Sequence, residues 1–145
     1  MYQASDIAKY FIHYANLEED GMMTNLKLQK LLYYAQGFHL ALFDQPLFRE
    51  EIKAWQYGPV IEEIYHTYKG YSRNPLPDPE DFNPEVIAPE DRELIDEVYS
   101  VFGKYTGTIL ANLTHQERPW TNTEKNQTIT HELMSDYFKS QIVKD

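Results

Sequence analysis

Leu28-Gln29-Lys30-Leu31-Leu32-Tyr33-Tyr34-Ala35-Gln36-Gly37-Phe38-His39 is the run on which the fold turns. Taken from about Thr24 to Phe43, it is long enough for a central helix. Leu28, Leu31, Leu32, Ala35, Phe38, His39 and Leu42 recur at helical spacing and form an apolar stripe. Lys27 and Lys30 fall near the edge of that stripe. The segment predicts the spine of a helical core, stopped by Pro46, which has no amide hydrogen to continue the ladder.

The same periodicity extends outward in both directions. Ile7, Tyr10, Phe11 and Tyr14 share one face of a first helix, with Ser5 as its N-cap, and Glu18 to Gly21 reads as a polar turn. Beyond the spine, Phe48, Glu50, Ile52 and Ala54 alternate imperfectly with their neighbours, so a short β-hairpin or extended arm is expected near residues 47–57. Gly58-Pro59 reads as the opening of a third helix, with Ile61, Ile64, Tyr65 and Tyr68 on its buried face and Gly70 as its stop.

Residues 71–89 hold five of the eight prolines and predict an irregular, acidic loop. Three further helices follow. One starts at Pro89-Glu90 and ends at Gly103, one runs from Thr106 to about His115, and the last starts at Thr130 with an Ile129–Met134 staple. The expectation is a mainly α, compact single-domain bundle of about six helices covering residues 1–145.

A chain of 145 residues that is 42% hydrophobic can close one core without a metal or disulfide staple. It has no cysteine, which excludes thiol nucleophiles, zinc ribbons and disulfide scaffolds. Its 23 acidic and 13 basic residues leave a formal net charge of −10. That balance repels nucleic-acid phosphates and favours a basic protein partner. No apolar run approaches a membrane span and no secretion signal opens the chain, so a cytoplasmic protein without membrane attachment is expected.

Catalytic motifs do not emerge. The six glycines are too dispersed for a phosphate-cradling loop, and no nucleophile elbow occurs. His131-Glu132-Leu133-Met134-Ser135 begins like a zinc helix but puts serine where the second imidazole belongs. No metal or cofactor is therefore expected, and no enzymatic activity. His39 reads as a partly buried residue bonded to a backbone carbonyl, and His66 as exposed. A small hydrolase built on His115 and Glu117 is the least favoured alternative.

Two anomalies remain. Residues 78–97 carry nine carboxylates against one arginine, which suits either a solvated face or a docking surface for a basic protein. Aromatic residues make up 14% of the chain. Trp55-Gln56-Tyr57-Gly58-Pro59 and Arg118-Pro119-Trp120 lie at element junctions, where rings either anchor the fold or stand half exposed as contact residues.

The ordered set Leu28 to Gly37, Pro46-Leu47-Phe48, Ala54 to Val60, Leu113-Thr114-His115 and Pro119-Trp120 resembles the SocA-like antitoxin, or Panacea, family, often found as phage-associated proteins. The resemblance implies a mainly helical antitoxin of a type II-like toxin–antitoxin pair, which neutralises a cognate protein toxin by direct contact. On that footing Tyr33, Trp55, Tyr57, His115 and Trp120 are the candidate partner-binding residues. The alternative is a proteolytic adaptor or phage accessory protein that binds a host factor.

Overall fold

The computed structural model describes residues 1–19 and 21–142. Its centre is α2 (Asn25–Phe43), which packs against helices on several sides. Fifteen of its 19 residues are buried, so the helix is enclosed well beyond the apolar stripe read from the sequence. The Thr24 hydroxyl accepts from the Lys27 amide at its start. Asp44, in left-handed conformation, closes it ahead of Pro46.

The polar residues of α2 are inside because each ties a neighbouring segment to the spine. Gln36 is fully buried; its Oε1 accepts from the amides of Leu47 (2.7 Å) and Phe48 (3.2 Å), while its Nε2 donates to the Phe48 carbonyl. Gln29 Oε1 accepts from the Ile61 amide at 2.9 Å. Lys30 is fully buried rather than at an edge, and its Nζ donates to the Pro59 carbonyl at 3.0 Å. Lys27 is buried too, donating to the Gly103 carbonyl. Buried polar groups persist only when paired, and here the pairing partners are the backbone of adjoining elements.

Around α2 stand α1 (Ala4–Asn16), α3 (Glu62–Tyr68), α4 (Pro89–Phe102), α5 (Gly107–Thr114), α6 (Arg118–Thr121) and α7 (His131–Gln141). Among the described residues there are thus seven α-helices; the extra one is α6, a single turn where Pro119 sits at the first turn without cost. Gln3, not Ser5, is the N-cap of α1, and its backbone amide donates to the Asp6 carboxylate. Thr106 and Thr130 cap α5 and α7. Ile129 and Met134 are both buried at the start of α7.

The hairpin lies slightly later than expected and replaces the opening of the third helix. β1 (Lys53–Trp55) pairs antiparallel with β2 (Gly58–Val60), with Trp55 opposite Gly58 and Lys53 opposite Val60. Gly58 has φ of 111°, a conformation that a helix start does not allow and that L side chains rarely adopt. The other edge of β1 is covered by residues 126–129: the Ala54 amide donates to Gln127, and the Asn126 and Ile129 amides donate to Ala54 and Ile52.

Residues 71–89 are irregular, broken by a 3-10 turn at Pro84–Val86, yet Leu76 and Ile87 are buried and the Leu76 amide donates to Met23. One apolar core joins residues from Ala4 to Phe138. Among the described residues no helix is long and apolar enough to cross a membrane.

Candidate functional site

The tip of the hairpin, Gln56-Tyr57, is held by side chains from the α5–α6 corner. His115 Nε2 donates to the Gln56 carbonyl at 2.9 Å, and Trp120 Nε1 donates to the Trp55 carbonyl at 2.8 Å. The His115 and Trp120 rings lie 4.2 Å apart between centroids, so the two donors brace each other. On the opposite side, Trp55 meets Tyr65 of α3 edge to face at 5.1 Å. Tyr57 stands out from this frame and is 64% exposed.

Beneath the corner lies a half-buried carboxylate. Tyr33 Oη donates to Glu117 Oε1 at 2.9 Å, and Tyr34 Oη donates to Oε2 at 2.8 Å. Burial pushes the Glu117 carboxyl above its usual range, and the two hydroxyl donors pull it partly back. Burial and the adjacent carboxylate both raise the two tyrosines. Glu117 is also the N-cap residue of α6, so this bridge from α2 sets where Trp120 sits.

Four of the five residues nominated from the sequence therefore converge: Trp55, Tyr57, His115 and Trp120 form one continuous surface around the hairpin. Tyr33 is the correction. It is fully buried and its hydroxyl is committed to Glu117, so it supports the corner from inside and presents nothing to a partner. Glu117 likewise serves the tyrosines; the hydrogen bond of His115 goes to the hairpin backbone.

Two hollows flank the hairpin. A cavity of about 450 Å³ opens between α2, the hairpin and α3, and a smaller one of about 270 Å³ lies between the hairpin and α6. Gln56 and Lys125 border both. The sequence reading missed Lys30 and Tyr65 as part of this region; the one signal for Lys30 was a cation set within an otherwise apolar run.

The other histidines serve elsewhere. His39 Nδ1 lies 2.6 Å from the Gln45 carbonyl and Nε2 lies 3.1 Å from Asp91, in accord with a partly buried structural role; His66 is exposed. Among the described residues no group of three or more histidine or carboxylate side chains is arranged to hold a metal ion. The acidic segment divides in two. Asp91 and Asp96 accept from Tyr2 and Tyr10 hydroxyls, whereas Asp78, Glu80, Asp81, Glu85, Glu90, Glu93 and Glu97 are exposed.

The sequence profile described as "Antitoxin SocA-like, Panacea domain" matches residues 28–121, from the spine through the hairpin to α6. The chain belongs to that family. Over 46 residues it is 41% identical to the antitoxin SocA of Caulobacter vibrioides (strain NA1000 / CB15N), a stretch that covers 32% of this chain and 24% of that protein. The chain thus matches about a quarter of the length of this curated relative. No solved structure matches it.

Proposed function

We propose that the chain is the antitoxin of a two-gene toxin–antitoxin pair and neutralises a cognate protein toxin in the cytoplasm by direct binding, without making or breaking a covalent bond. The observation that carries this reading, beside family membership, is Tyr57: a large ring, 64% exposed, directly after two residues whose carbonyls are each held by a side-chain donor. A contact residue held in advance loses little entropy on binding, and exposed tyrosines in rigid settings are typical interface anchors. Trp55, His115 and Trp120 extend that surface. The seven exposed carboxylates between Asp78 and Glu97 steer a basic partner toward the molecule.

Co-expression with the product of the adjacent gene tests it. That product should arrest growth alone, be harmless beside this chain, and co-purify with it. A neighbour that is harmless alone, or still toxic beside this chain, overturns the reading. Capture of a protease or host factor in place of the neighbour's product moves the assignment to a proteolytic adaptor.

A further inference from the structure

The cavity between α2, the hairpin and α3 carries a charge opposite to that of the chain around it. Its lining includes Lys30, Lys69 and Lys125 and no aspartate or glutamate, in a protein of net charge −10. Lys30 belongs to its buried floor, whereas Lys69 and Lys125 are exposed at its margin.

Part of the floor's hydrogen-bonding capacity is committed within the protein. Gln29 is committed to the Ile61 amide and to Asn25 Oδ1, and Asn25 Nδ2 donates to the Tyr65 carbonyl. The Lys30 ammonium has three donors and one acceptor, the Pro59 carbonyl, with no carboxylate in ion-pairing range among the described residues. Asn25 and Leu26 also line the cavity, and they are the first two residues of the 19-residue α2. The free amides of a helix start carry partial positive charge, so the spine adds to the same field. The walls are aromatic: Trp55 and Tyr65 meet there at 69°.

We propose that this cavity binds a small anion carrying a flat ring, of nucleoside-monophosphate size, with its charged group toward the lysines and the start of α2 and its ring against Trp55 and Tyr65. A volume of about 450 Å³ lies within the usual range for small-molecule sites. Helix starts and lysines together are common phosphate-binding elements, and indole and phenol faces accept a nucleobase without regard to its hydrogen-bonding edge. The ligand site stands independently of toxin neutralisation, since it needs no partner protein.

Isothermal titration of the full chain at low salt with AMP, UMP and inorganic phosphate tests the proposal. Both nucleotides should bind with Kd below about 1 mM, and phosphate at least about tenfold more weakly. Lys69→Ala/Lys125→Ala, at two exposed positions where folding is not at stake, should weaken AMP binding by about tenfold or more. Lys9→Ala/Lys104→Ala, which removes two exposed lysines outside the cavity, should leave it unchanged. Absence of nucleotide binding overturns the proposal, as does equal binding of phosphate, indifference to the Lys69/Lys125 pair, or an equal loss in the Lys9/Lys104 control.

Discussion

The indole Nε1 of Trp120 donates to the backbone carbonyl of Trp55 at 2.8 Å, joining residues 65 positions apart. The bond reconciles two uses of a junction tryptophan. Its polar edge locks α6 to the hairpin, while each ring remains half-buried and keeps a face toward the surface. The hairpin of three residues per strand, too short to be stable alone, gains its rigidity from this bond and from His115.

Trp120→Phe keeps a ring against His115 and removes the donor. The Trp55 carbonyl then loses this donor, and stability should fall by about 1 kcal/mol in urea denaturation. Amide exchange should quicken in residues 53–60 beyond the global change. Equal acceleration throughout the chain would show that the bond does not specifically hold the hairpin.

Glu117→Gln tests the half-buried carboxylate through its pH dependence. The folded state holds this carboxyl above its ordinary range, so the folded chain binds the extra proton. Stability contributed by the group is therefore complete in acid and is lost as pH rises from the ordinary carboxylate value through the raised one. Glutamine resembles the protonated acid and can still accept from one tyrosine and donate to the other's oxygen. Wild type and variant should have similar denaturation midpoints in acid, and the wild type should fall relative to the variant as pH rises. The opposite drift would mean that the Tyr33 and Tyr34 bonds outweigh desolvation.

Lys30 gives the complementary case. Burial lowers its ammonium to about 7, so between that pH and the ordinary lysine range the unfolded chain binds more protons than the folded one. The cost of burying the charge is fully present below about 7 and is relieved as pH rises above it. Lys30→Met should be more stable than wild type at pH 5.5, with the gap narrowing toward pH 9 despite the lost bond to Pro59. A gap that is constant with pH would place a charged Lys30 in contact with solvent.

These residues also mark where the sequence could be read and where it could not. Helices with one wet face, such as α4 and α7, announce themselves by period, and their starts at Pro89 and Thr130 follow from local chemistry. α2 was found by the same period, but its enclosure was not, because Gln29, Lys30 and Gln36 look like surface residues until the backbone groups that satisfy them are in place. Gly58-Pro59 misled for a related reason. The pair suits a helix start as well as a hairpin, and the choice is made by strand pairing with residues 126–129, some 70 positions away. Aromatic junctions point to the hairpin surface, whereas the inward role of Tyr33 has no local signal because its partner Glu117 lies 84 positions along the chain.

Gly37 marks a close contact between α2 and α7. A Cβ there would lie 2.1 Å from a ring carbon of Phe138, so α7 reaches α2 only over a bare backbone. Gly37→Ala should cost about 1–3 kcal/mol despite alanine's better helix propensity, read from denaturant midpoints. Adding Phe138→Leu should recover part of that loss. If the single variant is as stable as wild type, α7 can move aside freely.

Tyr57→Ser separates binding from folding. The residue is exposed and its ring has no aromatic partner among the described residues, so stability should change by less than about 0.5 kcal/mol. Affinity for the toxin proposed above should nevertheless fall at least about tenfold, mainly through faster dissociation, because an aromatic anchor buried on binding acts after encounter. Glu93→Lys/Glu97→Lys should do the reverse, slowing association with little effect on dissociation and reducing its dependence on salt. Surface plasmon resonance at two ionic strengths reads both rates. If Tyr57→Ser leaves both rates intact while the charge reversal weakens binding, the partner docks on the acidic α4 face and not on the hairpin.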